Sequence, residues 1–221
     1  MFRGIIFDVD GTLVDSNDAH ADSWVDTFSE AGYDVPFDVV RPLIGMGGDK
    51  LLPKTIGVKH DSVEGERLTA RRWEIFREKY LPHLRPLPSS RALVQMIRND
   101  SLTVVVATSA NEKEVRALLR AAEVADLMEE KSSSSDAEHS KPDPDVVHAA
   151  IEKSGVPKDQ LLMIGDTPYD VEAALRAGIP IIAFRSGGWT DSELEGATAI
   201  YDGPADLLAN YDRSPIRTGN Q

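Results

Sequence analysis

The sequence predicts an α/β protein: a doubly wound parallel sheet with a helical domain inserted into it. Three observations carry this. Short apolar runs bounded by turn residues fall at 4–9, 102–107, 161–164 and 179–184; helical patterns separate the later runs; and 16–85 holds several helix-length patterns with almost no strand signal. Strands alternating with helices build a parallel sheet, because parallel neighbours need a long crossover that a helix supplies.

The first run, GIIFDV, leads directly into DVDGTLVDS, so two aspartates separated by one valine stand where a strand ends. Buried carboxylates are costly unless paired or coordinated, and this placement therefore calls for a partner or a chemical task. The connection to the second run is far too long for one crossover helix. It includes EGERLTARRWEIFREKYL and ends in PHLRPLP, which reads as a return linker, so a core of 1–15 and 86–221 is expected to carry a helical insert at 16–85. After the second run comes NEKEVRALLRAAEVADL, a helix, then a weakly signalled short strand near 127–129 and a polar loop, SSSSD, at 132–136. HSKPDPD precedes a further helix, and GDTPYD follows the run at 161–164. YDVEAALRAG closes at Gly178, the residue type expected just past a helix C-terminus. The tail RSPIRTGNQ is expected to be disordered.

Composition limits the function. The 221 residues contain 41% hydrophobic and 28% charged residues, as in soluble globular proteins, and no apolar run suggests a membrane span. A net charge of −13, from 24 Lys+Arg against 37 Asp+Glu, argues against nucleic-acid binding. The absence of cysteine excludes disulfides, thiolate nucleophiles and Cys-based zinc sites, and the start MFRGIIFDVDG lacks signal-peptide character, so a cytoplasmic location is expected. The five histidines show no HxH or HExxH spacing, which argues against a transition-metal site. Nothing selects between a monomer and a homodimer.

In a doubly wound sheet, ligands bind at the carboxyl ends of the strands. Asp8 and Asp10 follow the first strand, Thr108 and Ser109 the second, and Asp166 and Asp170 the run at 161–164, with Lys141 nearby in sequence order. Taken singly, each has an ordinary role: turn aspartates, N-caps for the helix opening at NEKEV, a solvated lysine. Together they place carboxylates, a hydroxyl and an ammonium on one sheet edge, and oxygen donors in that number suit Mg²⁺. GMGGDK at 45–50 lacks the spacing of a phosphate-binding P-loop and follows no strand; it reads as a loop of the insert facing the site, or as a plain helix break.

FDVDGTLVDS, VVVATSA, SKPDPD and GDTPYD, in that order, resemble the four signatures of the haloacid dehalogenase-like phosphatase superfamily, in its branch of helical-cap enzymes that includes phosphoglycolate phosphatases and β-phosphoglucomutases. The resemblance implies a Rossmann-like core with a helical cap, and an Mg²⁺-dependent phosphatase acting on a small phosphorylated metabolite through an aspartyl-phosphate. It implies Asp8 as nucleophile and Asp10 as general acid and then base, with Asp10 giving its backbone carbonyl to the metal. Asp8, Asp10, Asp166 and Asp170 form the metal site so implied, Asp170 supporting it from close by. Lys141 offsets charge, and the Thr108 hydroxyl, with N–H groups at the following helix start, holds phosphoryl oxygens. Ser109, Asn111, Gly45, Gly47, Lys50 and His20 are the candidate substrate contacts, with Arg41 and Lys54 as further possible anion contacts. A histidine at the position of His20 occurs in related mutases and phosphatases alike, and a buried hydrogen-bonded core histidine accounts for it equally well. Gly187 and Gly188 are expected only to turn the chain.

Because Asp10 is present, carbon–halogen hydrolysis is disfavoured. A β-phosphoglucomutase-like mutase is the nearest rival; there the cap-loop glycine is flanked by basic side chains, whereas LIGMGGDK has Ile44 and Gly48. A receiver-like phosphorylated binding module also uses Asp, Ser/Thr and Lys at strand ends. Its phosphoacceptor follows a middle strand, however, and it has no helical insert.

Overall fold

The computed structural model describes residues 1–128, 130–132 and 139–219, and for 130–132 the backbone alone. Its sheet has six parallel strands, β1 (Gly4–Phe7), β2 (Thr103–Ala107), β3 (Glu130–Ser132), β4 (Leu161–Gly165), β5 (Ile181–Phe184) and β6 (Ala199–Tyr201), in the order β3-β2-β1-β4-β5-β6. The doubly wound reading holds. β3 begins later than 127–129, β6 has no counterpart among the predicted strands, and only Ser132 of SSSSD is described, 133–136 lying outside the described residues.

Alternation along the strands sorts the core into two layers. Ile5, Phe7, Val104, Val106, Leu162 and Ile164 face one side, against α5 (Ser90–Asn99), α6 (Glu112–Ala121) and α9 (Pro204–Ala209). Ile6, Val105, Leu161 and Met163 face the other, against α7 (Asp145–Ser154) and α8 (Pro168–Ala177). Because the strands are buried on both faces, they read as continuous apolar runs.

Between β1 and β2 the chain is helical: α1 (Asn17–Glu30), α2 (Phe37–Val40), α3 (Gly48–Ile56) and α4 (Val63–Ile75), with a π-helical turn at Phe76–Tyr80. Trp24, Phe28, Leu51, Leu52 and Leu68 form a third core within this segment. The outgoing and returning chains are tied together where they cross: Asp15 N–H donates to Arg85 C=O at 3.0 Å and Leu87 N–H to Leu13 C=O at 3.1 Å.

The tail is ordered further than expected. Its last helix, α10 (Pro215–Thr218), buries Ile216, and Asp100 accepts from both the Tyr211 hydroxyl at 2.9 Å and Arg217 at 3.0 Å. Apolar anchors spaced among polar residues hold RSPIRTG down; Asn220 and Gln221 lie outside the described residues. No described helix is long and apolar enough to cross a membrane.

Candidate active site

The strand order reverses at β1, between β2 and β4, and the residues following these three strands converge there. Asp8 leaves β1 with its N–H bonded to Ile164 C=O at 2.8 Å, which fixes its direction. Lys141 Nζ lies 2.5 Å from Asp8 Oδ1 and 2.7 Å from Asp170 Oδ1, all three side chains being buried. Thr12 hydroxyl bridges Asp8 Oδ2 (3.3 Å) and Asp166 Oδ1 (3.0 Å), and Asn17 donates to Asp166 Oδ2 at 2.8 Å. Asp170 Oδ2 accepts from the N–H groups of Asp166 (3.3 Å) and Thr167 (3.0 Å) and from the Thr167 hydroxyl (2.7 Å), completing a capping box that starts α8.

Two glycines allow this density. A Cβ at Gly11, whose φ is +72°, would stand 2.1 Å from Asp166 Oδ2, and one at Gly187 would stand 2.5 Å from the same atom. Gly187 therefore does more than turn the chain, because its lack of a side chain lets that loop press against Asp166.

Asp8, Asp166 and Asp170 offer carboxylate oxygens within 4.8 Å of one another. Burial pushes the Asp8 carboxyl well up; Lys141 pulls it down, and the neighbouring carboxylates add to the rise. Burial and then Asp170 raise Asp166 to about 8, against the hydrogen bonds from Asn17 and Thr12. Burial would lower Lys141, but Asp170 and Asp8 outweigh it and hold the ammonium well above the usual range. Three buried carboxylates facing one ammonium leave uncompensated negative charge, and hard oxygen donors so arranged fit a divalent metal ion.

This predicts a pH effect on stability. Asp166 titrates near 8 when folded, against about 4 in an unfolded chain, so in between the folded state holds a proton that the unfolded state has lost. Metal-free protein should lose stability as pH rises from about 5 to about 8.5, by on the order of 10 °C of Tm, since each pH unit costs roughly 1.4 kcal/mol and each kcal/mol about 2–4 °C. Calorimetry should show that fall, its reversal by an added divalent metal ion at the alkaline end, and a flatter profile for Asp166→Asn. A metal-free Tm that stays level or rises over the same window would refute the charge imbalance.

Asp10 sits apart from this cluster. Its Oδ1 accepts from the Ser16 hydroxyl at 2.5 Å and lies 2.7 Å from His20 Nε2. Burial favours the neutral acid, but His20, Ser16 and the Arg72 charge outweigh it and hold Asp10 below the usual carboxyl range. His20 stacks on Phe76 at 4.3 Å, and its Nδ1 lies 2.6 Å from Arg72 Nη2. Arg72 in turn pairs with Glu114 of α6, which also accepts from Asn111 at 2.5 Å.

A cleft of about 410 Å³ lies between the strand ends and the helical segment. Asp8, Asp10, His20, Gly45, Gly47, Thr108, Ser109 and Asn111 all line it. The α6 N-cap, however, is Asn111, which accepts from Lys113 and Glu114 N–H at 3.0 and 3.2 Å, in place of the expected Thr108 or Ser109. Thr108 hydroxyl accepts from Ala110 N–H at 3.1 Å, while Ser109 hydroxyl donates to Gly45 C=O at 3.3 Å. Lys50 is not among the lining residues: its Nζ lies 2.5 Å from Asp143 and helps tie α3 to the loop carrying Lys141. Arg41 bonds Asp18 and Gly187 C=O, and Lys54 is exposed. Sequence reasoning missed Arg72, Glu114, Trp24 and His60, all of which line the cleft.

The fold and the site together define a haloacid dehalogenase-like enzyme. The family profile described as haloacid dehalogenase-like hydrolase matches residues 5–184, and the chain belongs to that family. A phosphoglycolate phosphatase from Rhodospirillum rubrum is 30% identical over 219 residues, covering 94% of this chain and 90% of that protein. The chloroplastic protein SUPPRESSOR OF QUENCHING 1 of Arabidopsis thaliana is 34% identical over 186 residues, 82% of this chain but 18% of that protein's length. The crystal structure of a hydrolase from Pseudomonas syringae superposes with a TM-score of 0.87 at 30% identity, covering 95% of this chain and 98% of that one. With its phosphatase relatives, this chain is a phosphoric monoester hydrolase of the family.

Proposed function

We propose that the enzyme hydrolyses a small phosphorylated metabolite in two steps, with Asp8 as nucleophile and Mg²⁺ as cofactor. The observation that carries this is the Asp8 carboxylate, buried at the end of β1, fixed by Lys141 at 2.5 Å and open to the cleft. Asp8 attacks phosphorus and the ester oxygen leaves; water then cleaves the aspartyl-phosphate. Lys141 holds Asp8 in place and offsets charge as the phosphoryl group arrives, while the Thr108 hydroxyl lines the cleft where phosphoryl oxygens would lie. Asp10 is the group placed to move protons. Asp8, Asp166 and the Asp10 carbonyl would hold Mg²⁺, with Asp170 supporting them. When bound, the ion supplies positive charge that keeps Asp8 ionised and neutralises phosphoryl oxygens.

The helical segment acts as a cap in this reading. It meets the core through Gly47 N–H to Ser140 hydroxyl at 3.0 Å, Tyr169 hydroxyl to Pro42 C=O at 2.5 Å and the Lys50–Asp143 pair, all beside the cleft. Net hydrolysis is favoured over mutase chemistry because a mutase must grip a second phosphate with free cations, and the cleft's Arg72 is already paired with Glu114.

Phosphate release from para-nitrophenyl phosphate tests the reading. Turnover should require Mg²⁺, vanish with EDTA and return when Mg²⁺ is restored in excess. Undiminished activity in EDTA, or none with Mg²⁺, would overturn it.

A further inference from the structure

The cleft's charges say which leaving groups it accepts. Resting on the phosphatase reading above, we infer that the substrate is a phosphomonoester of a neutral, hydroxyl-bearing compound, and that Glu114 excludes substrates carrying a carboxylate or second phosphate.

Arg72 is the only arginine or lysine among the described residues lining the cleft. It is not available to an anion. One guanidinium nitrogen pairs with Glu114, another lies 2.6 Å from His20 Nδ1, and the group is held over the rings of Trp24 and Phe76 at 5.6 and 5.2 Å. The side chains of Arg72 and Glu114 are only 11% and 7% exposed, so water screens the pair little and breaking it is costly. Asn111 fixes the second Glu114 oxygen at 2.5 Å.

A substrate carboxylate would have to take Arg72 from Glu114. That leaves a buried carboxylate without its countercharge, the costly half of breaking a buried ion pair. If instead it stayed clear of Arg72, it would lie in a cleft lined by the acidic groups Asp8, Asp10, Asp49 and Glu114. Lys50, the cation near Asp49, is 3.8 Å from it but committed to Asp143 at 2.5 Å.

A hydroxyl displaces no ion. It can donate to a carboxylate oxygen of Glu114 or Asp49, both of which line the cleft. Acceptor oxygens beside charges already compensated are complementary to hydroxyls rather than to ions. This choice is independent of the phosphoryl end, where, in the reading above, the anion would meet Thr108 and a metal held beside Asp8.

Two matched pairs test it, each differing only in a hydroxymethyl group against a carboxylate: 2-hydroxyethyl phosphate with 2-phosphoglycolate, and glycerol 3-phosphate with 3-phosphoglycerate. In wild-type enzyme with Mg²⁺, kcat/KM should favour the hydroxyl member of each pair by about tenfold or more. Glu114→Gln, which keeps shape but frees Arg72, should shrink that preference by about fivefold or more, chiefly by raising kcat/KM for the acids. Because intrinsic reactivity is common to both enzymes, the change in ratio reports the pocket alone. Equal or greater activity on the acids in wild type overturns the inference, as does an unchanged ratio in the variant. Para-nitrophenyl phosphate separates the two levels: if wild type hydrolyses it yet prefers the acids, only the substrate assignment falls, and if wild type hydrolyses none of the five esters, the phosphatase reading falls and takes this inference with it.

Discussion

Asp8→Asn is expected to reduce phosphate release by on the order of 10⁴-fold or more, because an amide oxygen is too weak a nucleophile to form the acyl-phosphate bond and no other group sits in its place. The geometry separates this loss from misfolding. Burial and neighbouring carboxylates make ionised Asp8 a cost to the folded state, partly relieved by Lys141, so a neutral amide of the same shape removes repulsion while Lys141 keeps Asp170 at 2.7 Å. In the absence of metal the variant's Tm should therefore equal or exceed that of wild type. Inactive protein with an undiminished Tm is the expected pair of results. Near wild-type turnover in Asp8→Asn would remove Asp8 from the chemistry.

What could be read without a structure was set by how local each signal is. The strands β1, β2, β4 and β5 are runs of buried apolar residues next to punctuated turns, and Gly178 ends α8 in the left-handed conformation with φ 74°, as its position after YDVEAALRA requires. β3 and β6 are three residues each, too short for any periodicity to register. The clustering of Asp8, Asp166 and Asp170 was legible because strand ends are fixed places in a doubly wound sheet. The cleft's outer wall was not, because it depends on how α4 and α6 face each other. EGERLTARRWEIF offers Arg67, Arg71 and Arg72 within one helix; Arg67 pairs with Glu64 and Arg71 with Glu30 and Glu74 at the surface, and only Arg72 turns into the cleft. NEKE holds the same ambiguity. Glu112 pairs with Arg116 outside, while Glu114, two residues on, is buried against Arg72. Nothing within either helix distinguishes these partners, since the choice is made by contact between elements distant in sequence. Capping failed for a related reason: Thr108, Ser109 and Asn111 can all cap, and Ser109 is committed to Gly45 in the helical segment.

Asp10→Ala is expected to lower turnover of an alkyl phosphate by on the order of 10²- to 10⁴-fold, the usual contribution of a positioned proton-transfer group. The loss should be smaller in the first step with para-nitrophenyl phosphate, because nitrophenolate leaves without a proton. Water attack on phosphoryl-Asp8 still needs a base, so the aryl substrate should give a burst of nitrophenolate approaching one equivalent, followed by slow turnover. The surroundings of Asp10 bear on the order of its tasks. Held by Ser16 at 2.5 Å and His20 at 2.7 Å, and kept below the usual carboxyl range, it is ionised at neutral pH and suited to take a proton from water. To give a proton to the leaving oxygen it must first loosen one of those contacts, since both donors favour the charged form. Alkyl substrates depend on both tasks and aryl substrates on one, which is why the two should diverge in the variant. Wild-type rates on both substrates would show that Asp10 moves no proton, and an equal loss on both with no burst would show that it supports the first step by something other than proton donation.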